Sequence, residues 1–123
     1  MIYNEDYKIK FYKNSFNGKE PVLDYLRKID GKIKQKINKY LEFLRVRGGY
    51  VDEPYGRHIR GKIRELRVDF SNNHHRLLYF TFINKNIVIL SIFVKKSNKT
   101  SSREIIRAQK RYFDVINNPQ LYD

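Results

Sequence analysis

Arginine and lysine side chains concentrated between residues 54 and 111 are the groups of this chain that could do chemistry. That segment holds 14 lysines and arginines against 3 acidic residues, whereas the rest of the chain holds 12 and 10. Cationic side chains stabilise the negative charge that develops on a reacting phosphate. A positive charge this concentrated is typical of a phosphate-binding surface.

Proton transfer is harder to assign than charge stabilisation. Cleavage of a phosphodiester by a 2′-hydroxyl needs a proton acceptor, a group that stabilises the phosphate charge, and a proton for the leaving oxygen. Lysine can transfer protons only if its pKa falls below the usual value of about 10.4. Like charges lower it, and Lys95, Lys96 and Lys99 are crowded in sequence. Each of these charged residues could instead have no part in chemistry. The lysines would then form a solvated loop, Glu65 and Arg67 a surface ion pair, and Arg76 an exposed strand end.

Composition and motifs exclude several classes of site. The chain has no cysteine, so it has no disulfide and no thiolate zinc site, and it has no glycine-rich phosphate loop. His74 and His75 are adjacent in a predicted turn, and neighbouring side chains of an extended chain diverge, so we expect no metal site and no cofactor. Residues 1–14 lack an apolar signal core, and the apolar run at 87–94 is too short to cross a bilayer. We expect a soluble cytoplasmic protein.

Periodicity and breaker residues divide the chain into seven elements. Residues 7–12 alternate aromatic or apolar residues with lysine, which predicts a half-buried strand. Apolar residues at helical spacing predict one helix opened by Glu20-Pro21 and another at about 32–47. Strands are predicted at about 63–70, 76–82 and 87–94, with turns at 71–75 and 84–86, so they should be antiparallel. Ser101 and Glu104 form a capping box that starts a final helix.

The resulting order, β-α-α-β-β-β-α, predicts an α+β fold in which a helical hairpin packs on a small antiparallel sheet. The length indicates one domain, residues 1–123. In the strand at 63–70, Leu66 and Val68 mark the core face, so Glu65 and Arg67 should share an open face. Tyr79, within the next strand, should be a core tyrosine.

Four segments carry a family resemblance. They are Glu53-Pro54-Tyr55, residues 63–67 (IRELR), residues 76–79 (RLLY) and residues 92–100 (IFVKKSNKT), followed by a helix with Glu104, Ala108 and Arg111. In order and spacing they resemble the HigB-like, phage-derived branch of the RelE/ParE toxin superfamily. The resemblance implies a RelE-like fold and a toxin of a type II toxin–antitoxin pair that cuts mRNA on the translating ribosome. A HigA-like antitoxin, often with a helix-turn-helix, would neutralise it.

The resemblance also implies roles for the basic residues. The RelE-type arginine before an apolar strand matches Arg76, the basic pair after the last strand matches Lys95-Lys96, and Glu65 stands where the HigB-like branch usually has glutamate. We therefore predict a metal-independent endoribonuclease whose scissile phosphate is held and polarised by Arg67, Arg76, Lys95 and Lys96. Neighbouring RNA should be bound by Lys62, Arg64, Lys99 and Arg103.

Three alternatives stay open on sequence grounds. A ParE-like toxin on the same fold would inhibit DNA gyrase without cutting RNA. A non-enzymatic nucleic-acid-binding module would need little more than the net charge of +13. An inactive toxin would keep the fold and lose the chemistry. Cleavage of mRNA in expressing cells would separate the endoribonuclease from all three.

Overall fold

The protein is a five-stranded sheet with helices on both faces. The computed structural model describes residues 6–96 and 99–123. In chain order the elements are β1 (Lys8–Phe11), α1 (Pro21–Lys28), α2 (Gly31–Val46), β2 (Gly56–Arg60), β3 (Ile63–Phe70), β4 (Asn73–Phe82), β5 (Asn86–Val94) and α3 (Ser102–Asn117). The predicted α+β class is confirmed. Two residues of the lysine loop, Ser97 and Asn98, lie outside the described ranges. No helix within those ranges is both long enough and apolar enough to cross a bilayer.

The strands are arranged in the order β1-β5-β4-β3-β2. Antiparallel pairing of β3, β4 and β5 is confirmed, while β1 pairs with β5 in parallel. Two predictions are wrong. The predicted order lacks one strand, because residues 56–60 form β2, an edge strand that pairs with β3. The turn predicted at 71–75 is shorter, because β4 begins at Asn73 and includes His74 and His75.

Each face of the sheet has its own core. Side chains of one face pack on α1 and α2, and this cluster includes Leu66, Val68, Leu77, Tyr79, Ile87 and Ile89 from the strands. Side chains of the other face pack on α3, and this cluster includes Leu78, Phe80, Val88 and Leu90. Tyr79 is fully buried and its hydroxyl donates to the carbonyl of Gly49 at 3.0 Å, so the core assignment is confirmed.

The second covered face contradicts the open face predicted for β3. Successive strand residues point to opposite faces, so Glu65 and Arg67 lie on the side of the sheet that α3 covers. Glu65 is completely buried. Thr100, just before α3, hydrogen-bonds its carboxylate. Ser101 then caps α3, its hydroxyl accepting the amide N–H of Glu104 at 3.3 Å, which confirms the serine half of the capping box.

Candidate functional site

Strand register gathers charged residues on the α3 face. The β2–β3 pairing sets Arg57 opposite Glu65, and the β3–β4 pairing sets Arg67 opposite Arg76. Residues directly opposite in antiparallel strands have their Cβ atoms about 5 Å apart on the same face. Four charged side chains from three strands therefore form one patch. Arg67 opposite Arg76 would be unfavourable without acids to offset the repulsion.

Glu65 is the buried acid that offsets this charge. Its Oε2 lies 2.9 Å from Nε of Arg57, which donates a hydrogen bond, and 3.5 Å from Nε of Arg67. The hydroxyl of Thr100 donates to Oε1 at 2.6 Å. A buried carboxylate needs such charged and hydrogen-bonding partners to stay ionised. Glu65 therefore links β2, β3 and the segment before α3, and the surface ion pair considered from sequence is wrong for it.

Arg76 is held by a second acid, Asp69, and by the backbone. Its Nη1 donates to Oδ1 of Asp69 at 2.7 Å and to the carbonyl of His75 at 2.9 Å. Nδ1 of His74 also approaches Asp69, at 3.1 Å. Partial burial acts to raise the pKa of Asp69, but the hydrogen bonds from Arg76 and His74 outweigh it and lower that pKa. Arg76 is only 8% exposed, so it is not a solvated strand end.

Lys95 completes the patch from the end of β5. Its amide N–H donates to the carbonyl of His74 at 2.7 Å, which extends the β4–β5 pairing. Partial burial lowers the pKa of its ammonium group; Glu65 opposes that shift, and the three arginines of the patch reinforce it. We call Arg57, Arg67, Arg76 and Lys95 the cationic cluster.

The cationic cluster has more positive charge and more donors than its own acids use. Four cations face two carboxylates, Glu65 and Asp69. The Nε atoms of Arg67 and Arg76 are buried and complete no hydrogen bond among the described residues, although Nε of Arg67 lies 3.5 Å from Oε2 of Glu65. A guanidinium group presents several N–H donors in a geometry that matches the oxygens of a phosphate. The arrangement is suited to binding an anion and stabilising charge that builds on it.

The other predicted site residues are distributed over three places. Lys96 is exposed and lines a small hollow with Lys99, between the end of β5 and the start of α3. Arg103 lines a larger cleft on α3. Lys62 and Arg64 line a hollow at the β2–β3 turn. There the Arg64 guanidinium lies 4.4 Å from the centroid of the Tyr50 ring, and its Nη2 donates to the carbonyl of Val51.

Three of the four predicted catalytic residues therefore meet in one patch: Arg67, Arg76 and Lys95. Sequence reasoning missed Arg57 and Thr100 as members of the site. Arg57 follows the Glu53-Pro54-Tyr55 segment, but only the β2–β3 register shows that it faces Glu65. Among the described residues, no group of three His, Asp or Glu side chains converges in the way a metal site requires.

Comparison with protein families gives one match. A family model described as Phage derived protein Gp49-like (DUF891) matches residues 24–113. The match spans most of the chain and includes the entire cationic cluster. A comparison with curated proteins found no match.

Proposed function

The chain belongs to the Gp49-like family of phage-derived, toxin-like proteins, and we propose that it is a HigB-like toxin that cuts mRNA on the translating ribosome. The observation that carries the proposal is the excess of cations in the cationic cluster, where Arg67 lies opposite Arg76 and four positive side chains face two carboxylates. A phosphodiester bound there would supply the missing negative charge.

The proposed reaction is an attack by the 2′-hydroxyl of RNA on the adjacent phosphorus. The new O2′–P bond forms as the P–O5′ bond breaks, leaving a 2′,3′-cyclic phosphate and a 5′-hydroxyl. Arg67 and Arg76 would hold the non-bridging oxygens, where charge increases in the transition state. Every role falls to a protein side chain, so we propose that no metal ion takes part.

Lys95 is the proposed proton-transfer residue. A general base works best when its pKa lies near the working pH, and the pKa of Lys95 is already lowered by burial and by the cluster arginines. Its neutral form would accept the 2′-hydroxyl proton, and its ammonium form would return a proton to the leaving O5′. Glu65 is a positioning residue, because its buried carboxylate holds Arg57 and Arg67 rather than reaching the substrate.

The ribosome would supply the alignment of the RNA that the cationic cluster does not impose. In-line attack requires the 2′-oxygen, phosphorus and O5′ to be aligned, and charge-stabilising side chains alone do not impose that alignment on flexible single-stranded RNA. The decoding ribosome holds mRNA in a fixed conformation. We propose Lys62, Arg64, Lys96, Lys99 and Arg103 as contacts to the surrounding RNA. A HigA-like antitoxin is the proposed partner that neutralises the toxin.

The test is mRNA cleavage in a purified translation system, read by primer extension. Replacing Arg76 or Lys95 by alanine should slow cutting by about 10²–10³, the usual effect of losing one preorganised electrostatic group. Lys96→Ala should cost less, because Lys96 is exposed and outside the cluster. Lys39→Ala, on the exposed face of α2, is the matched control and should cut normally.

Folding of each variant is checked by circular dichroism, and Arg76→Lys keeps a charge in case Arg76→Ala unfolds. Folded Arg76→Lys and Lys95→Ala variants that cut at the normal rate would overturn the site assignment. Rapid cutting of naked RNA would overturn the role given to the ribosome. Inhibition of DNA gyrase without mRNA cleavage would replace the proposal by the ParE-like alternative.

A further inference from the structure

A large cleft of the described structure lies outside the cationic cluster. It separates α3 from the loop that follows β1 and has a volume of about 720 Å³. One wall is the outer side of α3, and the other runs from the end of β1 to the start of α1. Among the described residues, the lining of the cleft includes no acid and five cations, of which Arg107 is paired with Glu104 at 3.1 Å: Lys19, Arg103, Arg107, Lys110 and Arg111.

The walls of the cleft are joined by partly buried and exposed hydrogen bonds. Asp114 of α3 accepts hydrogen bonds from the Tyr12 hydroxyl at 2.7 Å and from the amide and hydroxyl of Ser15 at 3.1 and 2.5 Å. Arg111 donates to the carbonyl of Leu90 at 2.9 Å and lies over the Tyr12 ring. The loop is thereby fastened to α3 at the end of the cleft, so the opening is preformed.

Apolar side chains accompany these cations. Ile106 lines the cleft yet is 48% exposed, and Phe113 on the same helix is 57% exposed. Positions 106, 110 and 113 are spaced by four and three residues, so they share one stripe of α3. Lys110 lies between the two apolar residues, and exposed apolar side chains rimmed by charge mark an interaction surface. Phe16, in the loop that Ser15 fastens to Asp114, is almost fully exposed as well.

The chemistry of this surface selects its occupant. A nucleic-acid backbone would neutralise the cations of the cleft but would leave the exposed apolar surface of Ile106 and Phe113 uncovered. A peptide segment with acidic residues on its flanks and apolar residues along one face would satisfy both sets. An amphipathic helix presents such anchors at spacings of three and four residues and docks in grooves of this kind.

We propose that this cleft docks an acidic amphipathic helix of the protein that neutralises the toxin. The proposal rests on the proposed function for the existence of such a partner, but not on the catalytic mechanism. No residue of the cationic cluster lines the cleft. Arg103, proposed above as a contact to RNA, also lines the cleft, so docking and phosphate chemistry are altered separately through Ile106 and Lys110.

The experiment uses a fluorescein-labelled helical peptide with glutamates on one face and leucines on the other. Two probes of matching length accompany it: an all-glutamate peptide of at least equal charge, and a single-stranded RNA. Fluorescence anisotropy should show saturable binding of the amphipathic peptide, with Ile106→Gln and Lys110→Glu each weakening it by about tenfold. The controls, Ile83→Gln at an exposed apolar position and Lys39→Glu on α2, should bind as the unaltered protein does.

Several results would overturn the docking proposal. They are no saturable binding at millimolar peptide, equal binding of the all-glutamate peptide, binding unaffected by Ile106→Gln and Lys110→Glu, or displacement of the amphipathic peptide by RNA alone. Arg76→Ala should bind the peptide normally. If the protein never cuts mRNA but the cleft variants still lose the peptide, the catalytic proposal fails and the docking proposal stands.

Discussion

Replacing Glu65 by glutamine should destabilise the protein and lower the pKa of Lys95 at the same time. Glutamine keeps the size of the side chain but removes the charge that faces Arg57 and Arg67. Its amide nitrogen is also a donor, so it cannot accept from Arg57 and Thr100 as both carboxylate oxygens now do. The cluster would be left with a larger excess of positive charge.

The expected loss of stability follows from burial. Removing one partner of a fully buried ion pair costs about 3–5 kcal/mol, because the other charge stays desolvated. Here the carboxylate is completely buried, but the side chains of Arg57 and Arg67 are 31% and 22% exposed. Water can therefore screen part of the released charge, which reduces the expected cost to about 2–3 kcal/mol. For a domain of this size, that lowers the melting temperature by roughly 10 °C.

Two assays measure the loss of stability and the change in the pKa of Lys95. Thermal unfolding followed by circular dichroism gives the melting temperature, and the rate of Lys95 acetylation against pH, read by mass spectrometry, gives its pKa. Glu65 raises that pKa, so its removal should make Lys95 react at lower pH. Glu42→Gln is the control, because Glu42 is ion-paired to Arg45 on an exposed helix face and should cost less than about 1 kcal/mol.

A Glu65→Gln variant that melts within a degree or two of the unaltered protein would refute the reasoning. So would unchanged acetylation of Lys95. Either result would mean that Glu65 does not compensate the positive charge of the cationic cluster and is not a positioning residue.

Sequence periodicity predicted the longer elements because it reflects burial directly. Strands β3 and β5 and the three helices each have apolar residues at the spacing of a single buried face or a fully buried strand. Strand β2 escaped prediction because its five residues, GRHIR, include one large apolar residue. Its first residue must be glycine for packing reasons that only the fold shows. A Cβ on Gly56 would lie 2.6 Å from Cγ2 of Val51 and 2.9 Å from the carbonyl oxygen of Glu65.

Because strand β2 was not predicted, part of the site was missed as well. Arg67, Arg76 and Lys95 could be selected as basic residues at the ends of apolar runs. The contact of Arg57 with Glu65 could not be predicted, because it depends on the register between β2 and β3. Charge on alternate positions of β3 suggested a solvent face, and this inference fails where ion pairs allow a carboxylate to be buried under a helix. No local pattern in the chain shows which face α3 will cover.

Two further predictions test the opposite face of the sheet, which packs on α1 and α2. Burial lowers the pKa of His75, and Arg76 adds to that effect, so its folded pKa lies below 6.5; stability present above pH 6.5 should be lost as the pH falls below it. Urea unfolding of His75→Gln should show a flatter decline over that range than the unaltered protein does. Tyr79→Phe removes the donor to the Gly49 carbonyl and should cost about 1–2 kcal/mol in urea unfolding, because a buried acceptor loses its partner. Its rate of mRNA cutting should stay normal, since Tyr79 lies on the face away from the cationic cluster. A folded Tyr79→Phe variant that cuts slowly would place part of the chemistry on that second face and contradict the single site built around Glu65.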